Sequence, residues 1–215
     1  MKFEQSRQLQ QRSHAVIPGG AHTYAKGDDQ YPVEAPGFLV RGEGCRVWDA
    51  DGNEFIEYGM GLRAVSLGHG YAPVVEAAAR AMAQGTNFTR PSPLEVELAE
   101  RLVGLIDAAE MAKFAKNGSD ATTAALKLAR AYTGRDKLLY CRSHPFFSTD
   151  DWFIGTTPMR AGIPRCVSEL SIGFDYNDAA GLEALLAAHA GEIACVILEP
   201  AASEEPRDGF LHAVR

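Results

Sequence analysis

The stretch FAKNGSDATTAALKLARAYTGRDKLLYC, residues 114–141, decides how the chain reads. An apolar run stops at the small polar turn Asn117-Gly118-Ser119-Asp120, and an amphipathic helical pattern begins at once. The spacing predicts a short strand over 111–115, a buried helix over 121–132 and a second strand over 137–141. Ala125, Leu128, Ala129 and Tyr132 fall on or near one face of that helix, and Gly134 is a helix stop. Such a unit puts the turn at the carboxyl end of a strand, where open α/β sheets bind ligands. The N–H groups of Gly118, Ser119 and Asp120 are expected to lack intrahelical partners, and the helix dipole there favours an anion. The same residues suit a plain cap, with Asn117 or Ser119 accepting a helix N–H and Asp120 complementing the dipole. The residues alone leave both readings open.

Downstream, residues 142–164 read as an aromatic loop. Phe146, Phe147, Trp152 and Phe153 either plug a core or stack on a flat ring. A helix over 182–189 stops at Gly191, and an apolar strand over 193–198 ends in Glu199-Pro200. A carboxylate at that strand end must be solvated, paired or bound to a ligand, and Glu199 shares the rim with the turn.

Upstream, a helix over 3–14 ends at Pro18-Gly19-Gly20, and an irregular loop fills 21–36. Strands over 38–41, 45–49 and 54–58, with turn signals at Gly42-Glu43-Gly44 and Asp51-Gly52, predict an antiparallel meander. Pro73 and the capping box Ser92-Pro93-Leu94-Glu95 open two helices, and Leu94, Leu98, Leu102 and Leu105 mark an expected buried stripe on the second. Apolar strands alternating with helices predict a mostly parallel α/β sheet covered on both faces. The expected domains are 1–65, a small N-terminal lobe with the meander, and 66–215, the first part of a larger α/β domain.

The net charge of -7 and the scattered arginines argue against a nucleic-acid surface. No run reaches 18 apolar residues, and MKFEQSRQLQQRSH lacks the apolar core of a signal peptide, so a cytoplasmic protein without membrane contact is expected. Cys45, Cys141, Cys166 and Cys195 lie far apart, read as buried free thiols, and no metal site is expected.

Taken together the motifs resemble the N-terminal half of a class III, fold-type-I pyridoxal-phosphate (PLP) aminotransferase, nearest to its glutamate-1-semialdehyde aminomutase branch. The likeness rests on Ile17-Pro18-Gly19-Gly20, GEGCRVWDADGNEFIEY, Leu67-Gly68-His69, GTNF, ELAERL, NGSDATTAALKLARAYTGRDK and VILEP, in the family's order along nearly the whole chain. The resemblance implies that Asn117, Gly118 and Ser119 bind the cofactor phosphate, as a variant of the family's Ser-Gly-Thr-Glu. It implies an aromatic over the pyridine ring, taken as Phe146 in His144-Pro145-Phe146-Phe147, and Glu199 close to the cofactor. Substrate contacts fall to Lys26, Arg63 and Glu204. Lys26 stands where the mutase has an arginine and lacks that residue's planar fork. Leu62-Arg63 replaces a Trp-Gly, Glu204 matches an acid that aminomutases usually lack, and the segment after Asp151 is shorter than the mutase gating loop.

These departures favour an aminotransferase, moving an amino group between a small-molecule donor and a keto or aldehyde acceptor, over the alternative, a glutamate-1-semialdehyde 2,1-aminomutase. None of the six lysines matches the family's Schiff-base position, and the ring-nitrogen aspartate is missing as well. The 215-residue chain therefore reads as truncated and inactive alone, with a non-catalytic phosphate-binding α/β fragment as a further alternative. A homodimer is expected for the full-length form.

Overall fold

The computed structural model describes residues 1–143, 146–201 and 203–215. By contacts the chain divides into Met1–Ser92 and Pro93–Arg215.

In the first unit, helix α1 (Glu4–Val16) leads through three short 3-10 turns to the meander β1 (Leu39–Glu43), β2 (Arg46–Asp49) and β3 (Glu54–Ile56). The strands pair antiparallel in the order β1-β2-β3. The buried carboxylate of Asp49 organises the β2–β3 turn, accepting from the N–H groups of Asp51 (3.0 Å) and Asn53 (2.7 Å) and from the Asn53 side chain (2.8 Å). Gly52 is needed there, because its φ is +83°. The turn α2 (Met60–Arg63) is left-handed, with positive φ at all four residues. Glu57 holds it by accepting from Gly61 N–H at 3.3 Å and pairing with His69. Helix α3 (Ala72–Met82) carries its proline in the first turn, where a missing N–H costs nothing.

The second unit contains α4 (Pro93–Leu105), α5 (Gly118–Thr133), β4 (Lys137–Cys141), α6 (Asp151–Ile154), α7 (Arg165–Ser168), β5 (Ser171–Phe174), α8 (Ala179–Ala188), β6 (Ile193–Ile197) and α9 (Phe210–Val214). The strands form a parallel sheet in the order β5-β4-β6. Alternation along β4 splits the core into two layers. Leu139 and Cys141 join Phe174, Leu182 and Phe210 on the face covered by α8 and α9. Leu138 joins Leu126, Phe147, Trp152 and Phe153 on the face covered by α5 and the aromatic loop. Gly134, at φ +67°, ends α5 and returns the chain into β4.

Several expectations change. Residues 111–115 form no strand: no described residue pairs with them, and Met111 and Phe114 are exposed. A strand is defined by its ladder, and apolarity alone does not supply one. The stripe of α4 is not buried either, since Leu94, Leu98 and Leu105 are exposed and Leu102 is half-buried. On α5 the core residue is Leu126, while Leu128 and Tyr132 face solvent. Cys45 and Cys166 are exposed rather than buried. Strand β5 escapes the sequence because Ser-Ile-Gly-Phe is short and glycine-bearing, and its parallel pairing with β4 creates it.

Candidate functional site

Asn117 enters the turn in an extended conformation (φ -153°, ψ 174°), and its side-chain oxygen accepts from Asp120 N–H at 2.9 Å. The cap therefore exists and consumes one of the three N–H groups expected to be open. Those of Gly118 and Ser119 find no acceptor among the described residues. Gly118 is required neither by its φ, which is not positive, nor by packing, because a Cβ there would meet nothing within 4 Å. A glycine with no conformational task, beside two open N–H groups at the start of a 16-residue helix, leaves the backbone accessible to an anion.

Ser119 adds a donor. Its Oγ accepts from Thr149 N–H at 3.0 Å, which leaves its own proton free to be given elsewhere. Thr122 Oγ1 donates to Phe147 O at 2.8 Å. Thr123 Oγ1 accepts from Trp152 Nε1 at 2.8 Å and meets Ser148 Oγ at 3.1 Å. These bonds tie the start of α5 to the segment after β4, so the turn stands at the carboxyl rim of the sheet. The rim also carries Glu199, half-buried two residues past β6.

The four loop aromatics divide. Phe147, Trp152 and Phe153 are buried and belong to the core. Phe146 is 55% exposed and rests edge-on against Phe153 with centroids 5.6 Å apart, which leaves ring surface uncovered. His144 and Pro145, the other residues aligned with the family's aromatic stretch, lie outside the described residues.

On the same rim, past β5, Asn177 Nδ2 donates to Glu204 at 3.0 Å, and Arg207 pairs with that carboxylate at 3.1 Å. Tyr176 donates its hydroxyl to Pro200 O at 2.6 Å. Burial pushes the Tyr176 phenol up, and Cys141, Glu204 and Glu205 push it further, so it remains a donor. The second unit thus brings Asn117, Gly118, Ser119, Phe146, Glu199 and Glu204 to one rim. Lys26, exposed at the end of the 3-10 turn Tyr24–Lys26, and Arg63, exposed on the left-handed turn, belong to the first unit. Sequence reasoning passed over Thr122, Thr123 and Ser148. The signal was present, since Ser119, Thr122 and Thr123 are spaced i, i+3, i+4 and share a helix face.

A parallel sheet with a sparsely capped helix start and a half-exposed aromatic at its carboxyl rim is an α/β fold of the kind that binds ligands outside the carboxyl ends of its strands. Residues 25–215 match the family described as Aminotransferase class-III, and the chain belongs to that family. It is 34% identical over 222 residues to a glutamate-1-semialdehyde 2,1-aminomutase of Acidobacterium capsulatum, covering 98% of this chain and 52% of that protein. Among solved structures it is similar to the PLP internal aldimine form of the Sphingopyxis sp. MTA144 FumI protein, with a TM-score of 0.89, 34% identity and coverage of 98% and 51% of the two chains. An omega-transaminase from Sphaerobacter thermophilus aligns with a TM-score of 0.87 and 28% identity, over 96% and 50%. The chain spans about half the length of the curated relatives it matches.

Proposed function

We propose that this chain is the phosphate- and ring-binding part of a PLP-dependent aminotransferase that moves an amino group from a small-molecule donor to a keto or aldehyde acceptor. The observation that carries the reading is the pair of open N–H groups at the glycine-bearing start of α5. The donor set fits the cofactor: two backbone N–H groups and the Ser119 proton suit a phosphate, and the uncovered face of Phe146 suits a pyridine ring. When bound, the cofactor supplies an electron sink for the carbanion that amino transfer requires. Asn117 holds the turn in shape, Gly118 and Ser119 bind the phosphate, and Phe146 stacks on the ring. Glu199 stands near the reacting end of the cofactor, and Lys26, Arg63 and Glu204 contact the substrate.

The activity is proposed for the complete enzyme, with residues 1–65 as the small lobe and 66–215 as the first part of the large domain. None of the six lysines of this chain is assigned the covalent hold on the cofactor, which would fall to another lysine of the complete enzyme. We propose a cytoplasmic homodimer. The second reading, a glutamate-1-semialdehyde 2,1-aminomutase, is favoured by the names of the curated relatives. One experiment separates the two. The complete enzyme with PLP is supplied with an amino donor and either a keto acid or an aldehyde, and products are followed by mass. Release of a keto product from the donor, with amination of the acceptor, supports the transaminase. Isomerisation of glutamate-1-semialdehyde with no second amino-acid partner supports the mutase.

A further inference from the structure

We infer that Thr122 and Thr123 are positioning residues, which fix the ring-stacking loop to the phosphate-binding turn so that both ends of one cofactor are gripped in register. The inference rests on the function proposed above.

Three hydroxyls on one face of α5 each hold a different part of the segment 147–152. Ser119 Oγ accepts from Thr149 N–H at 3.0 Å. Thr122 Oγ1 lies 2.8 Å from Phe147 O, nearer than its own helix carbonyls at Gly118 (3.0 Å) and Ser119 (3.1 Å). A hydroxyl has one proton to give, and the loop carbonyl is its closest acceptor. Thr123 joins a chain in which Trp152 Nε1 donates to Thr123 Oγ1 at 2.8 Å, Thr123 meets Ser148 Oγ at 3.1 Å, and Ser148 Oγ accepts from Asp150 N–H at 3.1 Å. Ser148 is completely buried, so its bonds have no competition from water. Beyond them, Ser171 Oγ on β5 donates to Trp152 O at 2.6 Å, which carries the anchorage into the sheet.

The anchored residue Phe147 directly follows Phe146, the half-exposed ring. The anchoring helix begins with the two open N–H groups. A cofactor has a fixed covalent distance between phosphate and ring, so a site must hold both grips to within about 0.5 Å. The threonine bonds convert two separate surface features into one rigid gauge.

The test uses the complete holoenzyme. Thr122→Val and Thr123→Val keep volume and β-branching but remove the bonds, whereas Thr122→Ser and Thr123→Ser keep them. Cofactor affinity is read by titrating PLP against the visible circular dichroism of the bound cofactor. Amide hydrogen exchange at Thr149 and Asp150 is read in cofactor-free protein. Expected for valine is about tenfold weaker PLP binding, a diminished dichroic band and faster exchange at both amides, with the serine variants close to wild type. Valine variants with wild-type affinity and band, or serine variants as impaired as valine, overturn the inference. If a valine variant does not fold, Ser148→Ala is read the same way, and an unchanged band there also overturns it. Phe146→Ala separates the two levels: it is expected to diminish the band without altering exchange at Thr149 and Asp150. An unchanged band overturns the ring assignment itself, and the inference with it. Failure of the gauge alone leaves Phe146→Ala altering the band and the valine variants silent.

Discussion

Two helices of this protein begin in opposite ways. α1 receives no cap from its own N-cap residue, Phe3. Instead Asp51, from the β2–β3 turn, takes the N–H groups of Gln5 (2.7 Å) and Ser6 (2.9 Å), one on each carboxylate oxygen. That start is closed by the protein's own anion and serves as a structural joint. α5 is capped locally by Asn117 at a single N–H, and two others find no acceptor among the described residues, beside a glycine that packing does not require. A helix N-terminus attracts negative charge in either case. The difference lies in whether the chain itself supplies that charge, as Asp51 does for α1, or leaves N–H groups without an acceptor among the described residues, as at α5.

The comparison breaks most readily through the packing that allows α5 to keep an open end. Leu126 is buried between α5 and the sheet, so Leu126→Ala is expected to cost ~2–5 kcal/mol in urea unfolding. The exposed Leu128 at the same substitution is expected to cost less than about 0.5 kcal/mol. Equal losses would mean that α5 is held by a face other than the one seen here. Asn117→Ala removes the one local cap and is expected to lower stability by about 1 kcal/mol in the same measurement.

Gly118→Ala sharpens the contrast because its two effects oppose each other. The backbone is compatible and the space is open, so the cofactor-free protein should gain ~0.5–1 kcal/mol. On the proposed phosphate assignment, PLP binding should weaken by roughly tenfold, as a methyl group would enter the space beside the turn. A variant that gains stability and keeps full affinity would remove the glycine from the site.

The smallest effect is local and depends on pH. Burial alone would raise the Asp51 carboxyl, but the N–H groups of Ser6 and Gln5 outweigh it and hold the pKa below the ordinary value. A depressed folded-state pKa means that the contribution is complete above the unfolded value, near pH 4, and is lost as pH falls through the folded one. Amide protection at Gln5 and Ser6, taken relative to the intrinsic exchange rate at each pH, should therefore fall on acidification below about pH 4, while that of Asp120 N–H, bonded to the neutral Asn117, is kept. Asp51→Asn should blunt that pH response.

Legibility in the sequence followed the range of the forces involved. The turn at 117–120, strand β4, the meander and the stop at Gly134 were readable because their signals are local: capping side chains, glycine at positive φ and alternation over a few residues. The rim residues Asn117, Gly118, Ser119 and Glu199 were nameable as candidates from their places at element ends. The aromatic cluster could not be sorted, because four similar rings give no hint that three enter the core and Phe146 stays half outside.

The sequence by itself determined the turn at 117–120, the meander, strand β4 and the stop at Gly134, and which side chains stand at those element ends, since caps, turns and periodicity act within a few residues. Only the tertiary structure decided which apolar faces were buried, that 111–115 gained no ladder, that Ser-Ile-Gly-Phe became a strand, and that Asp51 rather than a neighbour closed α1. It also decided that Asn117 filled one N–H of α5 and that two more have no acceptor among the described residues. Burial, strand pairing and remote capping need a partner distant in the chain, and no local pattern names that partner.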